Sequence, residues 1–231
     1  CMDDVAPISA LATGGDGGPY VYNWDQGIGV GQSQNVSPSA TTTYVVTVTD
    51  GCQTPSASSS VTITVIPIPI ISFSGDDLEG CTPLEVTFSD AGLPAGSQCN
   101  WDFGDGSTSN NCGPITYTYT TPGCWDVGLS VTTIEGCVAS VDLTQYICVY
   151  DYPNASFAFG PQPTTIMDSD INFTNNSTGA DNYFWTFDTQ GVGATSTQEN
   201  PSYNFDENQE GTYQVCLDAI SIEGCVSTFC N

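Results

Sequence analysis

Across 231 residues the sequence holds no lysine, no arginine and no histidine, against 26 aspartates and glutamates. Ordinary chains carry roughly a quarter charged residues of mixed sign, so losing every cation over this length reflects selection on composition. Each missing residue type removes a class of function. Without Lys or Arg nothing neutralises phosphate, which excludes nucleic acid as a partner, and an anionic membrane surface repels the chain for the same reason. Without His or Lys no Ser or Cys has an ordinary general base, so nucleophilic catalysis is not expected and the chain is read as a non-enzyme. No His and no Cys-x-x-Cys pair is present to hold zinc. A signal peptide, a transmembrane run, a lipidation motif and any apolar period of 3.6 are also missing, so neither membrane insertion nor a long helix is expected. The chain opens abruptly at Cys1 and reads as a window cut from a longer protein.

What is present is strand-like. Val, Ile, Thr, Tyr, Phe and Trp alternate with period two, as in Val61-Thr62-Ile63-Thr64-Val65 and Leu84-Glu85-Val86-Thr87-Phe88, and clusters of Gly, Pro, Asn and Asp punctuate them. Eleven cysteines at this spacing read as disulfides, hence as an oxidising, extracellular compartment such as a cell surface or secreted filament. Three segments repeat the same landmarks in the same order. A Trp comes first: Tyr22-Asn23-Trp24-Asp25, Cys99-Asn100-Trp101-Asp102 and Tyr183-Phe184-Trp185-Thr186. A strand opened by an aromatic follows, at Tyr44 to Val48, Trp125 to Val131 and Tyr213 to Ile220. A turn ending Gly51-Cys52, Gly136-Cys137 or Gly224-Cys225 closes each copy. Seven or so strands per copy, with Trp in a central strand and an aromatic opening a late one, match immunoglobulin-like β-sandwiches in tandem, an all-β linear array. Trp24, Trp101 and Trp185 are then core residues; the functional alternative is exposed aromatics that stack on carbohydrate. Prolines set the boundaries. Ile66-Pro67-Ile68-Pro69-Ile70 and Tyr150-Asp151-Tyr152-Pro153 are stiff, extended connectors. They divide the chain into 1–67, lacking its N-terminal strand, 68–152, and 153–231, which stops within its last strand.

At Trp101-Asp102-Phe103-Gly104-Asp105-Gly106-Ser107 the sequence resembles the polycystic kidney disease (PKD) domain, whose signature is a strand ending in this acidic, Gly-rich turn. Thr116 to Trp125 supports the likeness. Residues 153–231 resemble a diverged copy in which Trp185-Thr186-Phe187-Asp188-Thr189-Gln190-Gly191 has lost the second Gly-Asp-Gly. Residues 1–67, with Pro38-Ser39-Ala40-Thr41-Thr42-Thr43-Tyr44, are similar to immunoglobulin-like repeats that accompany PKD domains in very large proteins of gliding and related bacteria, exported by type IX secretion. The resemblance implies adhesion, stalks or filaments.

The carboxylates Asp102 and Asp105 invite comparison with a glycosidase acid and base, but three residues apart in one strand-to-turn segment they suit Asx-type turns, with Gly104 and Gly106 supplying positive φ. Asp102, Asp105, Asp76, Asp77 and Glu79 are the candidates for calcium; no other cofactor is expected. Asn35, Asn154, Asn172, Asn175 and Asn176 open N-glycosylation sequons.

Cysteine spacing goes further. Cys216 and Cys230 stand seven residues either side of Glu223, the centre of a hairpin, and form a cross-strand pair. Cys124 and Cys148 stand eleven before and thirteen after Glu135, a diagonal or bulged offset. Cys99 and Cys112 flank the acidic hairpin and join its arms. In such a sandwich the start of the second strand and the last hairpin turn lie at opposite poles, some 20 Å or more apart, beyond the reach of about 7 Å that a disulfide allows between Cα atoms. Head-to-tail stacking instead brings Cys1 to Cys137 and Cys81 to Cys225, and leaves Cys52 for an upstream copy. The expected partners are neighbouring copies of the repeat and surface polysaccharide. The leading reading is a structural and adhesive segment of a surface stalk or filament. The alternative is a carbohydrate-binding or spacer module of a secreted hydrolase, for which Tyr117 and Tyr119 are the candidate aromatics.

Overall fold

The structure, a computed structural model, describes residues 1–15, 19–51, 55–161, 169–187, 193–205 and 211–231. Among these every regular element is a strand. The first group comprises β1 (Ala6–Ser9), β2 (Val21–Trp24), β3 (Gly29–Val30), β4 (Ser33–Val36), β5 (Thr42–Thr49) and β6 (Ala57–Ile63). They form a two-stranded sheet, β1-β4, and a four-stranded sheet in the order β3-β2-β5-β6.

The second group comprises β7 (Ser72–Gly75), β8 (Glu79–Cys81), β9 (Leu84–Ala91), β10 (Gln98–Asp102), β11 (Thr108–Ser109), β12 (Ile115–Tyr119), β13 (Gly123–Thr132) and β14 (Val138–Tyr150). Its sheets run β12-β9-β7 and β11-β10-β13-β14-β8, and only the β8–β14 pairing is parallel. The third group comprises β15 (Phe157–Gly160), β16 (Asp170–Asn175), β17 (Asn182–Phe187), β18 (Ala194–Ser196), β19 (Ser202–Asn204), β20 (Val215–Ile220) and β21 (Val226–Cys230). It forms β15-β16-β19 and β18-β17-β20-β21. The chain is thus a tandem of immunoglobulin-like β-sandwiches.

Period-two alternation builds each core, because successive side chains in a strand point to opposite faces. Val86 and Phe88 face inward from one sheet of the second sandwich, and Trp101, Leu129 and Val131 from the other. Their neighbours Glu85, Asn100 and Asp102 face water. The tryptophans sit at equivalent places, each with its indole N–H donating to a carbonyl: Trp24 to Gly31 at 2.9 Å, Trp101 to Asn111 at 3.0 Å and Trp185 to Gln198 at 2.9 Å. That bond lets a large ring with one polar atom be fully buried. All three are core residues, Trp101 and Trp185 at 0 % exposure.

The aromatic that opens the late strand departs from expectation. Tyr44 is buried, but Trp125 is only half-buried and Tyr213 lies ahead of β20, against Phe205 at 4.8 Å. In the second sandwich the buried tyrosine anchored to backbone is Tyr119 on β12, whose hydroxyl donates to the Phe103 carbonyl at 3.1 Å. Tyr119 and Tyr117 have even spacing, so both face the interior: Tyr117 stacks on Phe103 at 4.0 Å and Tyr119 meets Tyr117 edge-on at 4.9 Å.

Candidate functional site

The acidic turn between β10 and β11 is closed by its own carboxylates. Asp102 Oδ1 accepts the Gly104 N–H at 2.9 Å, and Asp105 Oδ1 accepts the Ser107 N–H at 3.0 Å. Gly104 and Gly106 take φ of 85° and 93°, which L side chains rarely adopt. Gly104 has a second constraint, because a Cβ there would stand 2.2 Å from the Asp126 carbonyl oxygen. The remaining oxygen of Asp105 accepts the Tyr117 hydroxyl at 2.7 Å. Partial burial pushes the Asp105 carboxyl up, but the hydrogen bonds from Tyr117 and Ser107 outweigh it and leave it below the usual carboxylate range. Burial, with Asp105 as neighbour, raises the Tyr117 phenol. Tyr119 is raised further, chiefly by burial and then by the Asp105 charge. This arrangement fixes a turn and presents no pair of carboxylates across a cleft.

Asp76 plays the same part elsewhere. Its Oδ1 accepts the N–H groups of Thr87 at 2.7 Å and Asp77 at 2.9 Å, and the Thr87 bond above all holds the carboxyl below its ordinary range. Glu79 accepts the Tyr150 hydroxyl at 3.2 Å. Among the described residues no three His, Cys, Asp or Glu side chains are placed to hold a metal ion. Of the sequon asparagines, Asn35 on β4, Asn172 on β16, Asn154 and Asn176 are exposed, and Asn175 is half-buried with its Oδ1 accepting the Ser177 N–H at 2.9 Å.

Among the described residues five disulfides fall into two classes. Three lie within a sandwich. Cys99–Cys112 ties the two sides of the acidic hairpin, with Cα atoms 5.3 Å apart. Cys124–Cys148 and Cys216–Cys230 each link directly opposed residues of the last two strands, at 4.1 Å. The other two join one sandwich to the next: Cys1–Cys137 at a Cα separation of 5.5 Å and Cys81–Cys225 at 5.7 Å. Cys137 and Cys225 sit in equivalent turns, each 1 % exposed, with the N–H accepted by a hydroxyl four residues earlier, Thr133 or Ser221, at 3.2 Å. The backbone closes the same turns through Thr133 to Cys137 and Ser221 to Cys225 bonds of 2.8 and 2.9 Å. A reactive thiol would be exposed beside a cation; these sulfurs are buried and bonded. Cys52 and the turn from Asp188 to Gly191 lie outside the described residues. The sequence reading missed the Tyr117–Asp105 bond and the Asp76 cap on Thr87, since both link positions eleven or twelve residues apart with no spacing rule to announce them.

Residues 67–149 match the PKD domain family. No curated protein matches the chain. Among solved structures, the chain is similar to one from a 1.5-MDa bacterial ice-binding adhesin, at 10% identity and a TM-score of 0.43, over 99% of this chain and 89% of that one. It is also similar to extracellular domains 3–5 of Drosophila OTK, at 12% identity and a TM-score of 0.39 over 99% and 90%. The full ectodomain of mouse nectin-like molecule 4 gives 11% and 0.37 over 99% and 93%.

Proposed function

We propose that the chain is a structural and adhesive segment of an extracellular bacterial surface stalk or filament, with its sandwiches held in line by disulfides. The observation that carries this reading is the pair of bridges Cys1–Cys137 and Cys81–Cys225. Each adds a second covalent tie beside a short proline-bearing linker, so a junction has two anchor points in place of one and bending must deform a closed ring. The sandwiches begin and end as residues 1–67, 68–152 and 153–231. Uncompensated negative charge keeps such an array soluble and opposes lateral collapse. Its partners are neighbouring copies of the repeat and surface polysaccharide. Export by the type IX apparatus belongs to the same reading and rests on the likeness of residues 1–67 to the repeats of such proteins.

PKD and immunoglobulin-like domains are typically non-catalytic, and the acidic turn spends its carboxylates on backbone N–H groups and a tyrosine. The hydrolase-accessory reading is the weaker one, because Tyr117 and Tyr119 face the interior and the three strand tryptophans are buried. Negative-stain imaging of the oxidised and reduced chain tests the proposal. Straight three-bead rods that become bent on reduction support it. Equal bending in both states, or a compact particle, overturns it.

A further inference from the structure

The last strand of each sandwich runs along an edge of its larger sheet, and the three edges are not alike. In the second sandwich β14 pairs with β13 on one side, while β8 covers only Cys148 to Tyr150 of the other. Among the described residues no strand covers Val138 to Ile147 on that side. The first sandwich follows the same plan. The Met2 N–H donates to the Ile66 carbonyl at 3.1 Å as the Thr82 N–H donates to Tyr150 at 2.9 Å, so Ile66 stands for Tyr150. A strand placed like β8 would therefore cover Thr64 to Ile66, beyond the end of β6 at Ile63. The edge from Ala57 to Ile63 stays open whatever precedes Cys1.

Open edges are ordinarily guarded by charge, by a bend or by being short. β14 carries Asp142 and bends at Gln145, whose φ is 49°. β21 is five residues long, and its Thr228 hydroxyl donates to the Asp218 carboxylate on the neighbouring strand. β6 has neither guard. Its seven residues, Ala57-Ser58-Ser59-Ser60-Val61-Thr62-Ile63, keep unbroken register with β5, and Ser58, Ser60 and Thr62 lie opposite Thr47, Val45 and Thr43 on the outer face. From Gln26 to Gly75 the chain holds one carboxylate, Asp50, against 26 in 231 residues. A cationic partner would be drawn to carboxylates and a neutral one would be indifferent to them, so an edge cleared of negative charge matches a partner that is itself acidic. A second copy of this chain is such a partner.

We propose that β6 is a self-association edge, at which two copies of the chain pair β6 with β6 antiparallel about a two-fold axis at Ser60. The proposal rests on the reading of the chain as an adhesive stalk segment and names its lateral partner. The sequence suits that register. Ser60 meets its own copy, Ser58 meets Thr62 and Ser59 meets Val61, so hydroxyls face hydroxyls on the outer face as those of Thr43 and Thr62 already do at 2.8 Å. Main-chain hydrogen bonds across the edge join two four-stranded sheets into one. Elsewhere like charge holds the copies apart, which confines their contact to this edge. Antiparallel edges make the paired arrays run in opposite directions, the orientation of stalks that project from two facing surfaces.

Sedimentation of the full chain in physiological salt is the test. A reversible dimer is expected at high chain concentration, strengthened by added salt as the remaining carboxylates are screened, with amides from Ser58 to Thr62 newly protected from hydrogen exchange. Ser60→Asp sets two carboxylates against each other and should weaken the dimer about tenfold or more with unchanged circular dichroism. Ser140→Asp, at an exposed position of β14, should leave the dimer as it is. Ser60→Lys mixed with Ser60→Asp should pair as a heterodimer. A chain that stays monomeric at millimolar concentration, an equal loss from Ser60→Asp and Ser140→Asp, or failure of the two Ser60 variants to pair would each overturn the proposal. A straight rod that stays monomeric would do so while leaving the stalk reading intact.

Discussion

The Gln145 N–H donates to Asp126 Oδ1 at 2.6 Å, and this contact marks the place where β13 and β14 change register. Below it Val127 faces Leu143, and above it Trp125 faces Ile147, so β14 carries two more residues than β13 across the step. Gln145 takes a φ of 49° to make room for them. The bulge brings Cys124 directly opposite Cys148, which the unbroken register of the lower strands would have left staggered. Asp126 also receives the acidic turn, since its carbonyl is the atom that Gly104 approaches.

Two glycines of that turn should therefore respond differently to alanine. Gly106 has open space around it, so Gly106→Ala meets only the left-handed backbone penalty, about 1 to 2 kcal/mol. Gly104→Ala adds a clash with a backbone oxygen that cannot swing away, and should cost at least about 3 kcal/mol. Urea unfolding followed by tryptophan fluorescence compares the two, and equal midpoints would refute the account of the turn.

Removing a junction bridge should loosen the array without unfolding its parts. In the double variant Cys1→Ala with Cys137→Ala, far-ultraviolet circular dichroism should be unchanged while small-angle scattering shows a broader range of shapes. The bridge closes a loop of 136 residues. Its loss should lower global stability by up to about 5 kcal/mol to the extent that the sandwiches unfold together.

Alkali should unfold the second sandwich by way of its tyrosines. Burial raises Tyr119 and Tyr117, so the fold favours their neutral forms. That stabilisation is complete below the unfolded tyrosine value of about 10 and is lost as pH rises toward the folded values. Tyrosinate absorbance from these two residues is expected to appear together with loss of the near-ultraviolet tryptophan signal. Ionisation well before unfolding would contradict the burial. Phe at 117 should keep the stacking on Phe103 and lose the bond to Asp105, shifting the acid transition as well, since the depressed Asp105 carboxyl stabilises above about pH 4 and loses that effect as pH falls through its folded value.

Salt and chelator should separate diffuse from specific charge effects. Screening of the 26 carboxylates over a Debye length of about 8 to 10 Å should raise the melting temperature between low and physiological salt. A chelator at constant ionic strength should change it little, because Asp76, Asp102, Asp105 and Glu79 are already engaged by protein donors. A drop of more than about 5 °C with chelator would show a specific divalent-cation site.

Much of the fold was legible because it is written in short-range pattern. Alternation around Val86 and Phe88, three tryptophans at one place in the repeat and glycines where φ turns positive are all local signals. The tyrosines were read less well. Tyr117 and Tyr119 alternate with threonines and look like one face of any sheet. Whether that face meets water or Phe103 depends on a turn fourteen residues away.

Composition and spacing alone determined that this chain is all-β, repeats itself, cannot neutralise phosphate and carries a hairpin with Cys216 and Cys230 equidistant from Glu223. These are properties of residue type and of distance along the chain. Tertiary structure decided the rest. It set the bulge at Asp126, the sharing of Asp105 between Ser107 and Tyr117, and the burial of Cys137 and Cys225. The physical reason is that each of these depends on what a second strand or a neighbouring sandwich places within a few ångströms, and sequence separation does not encode that distance.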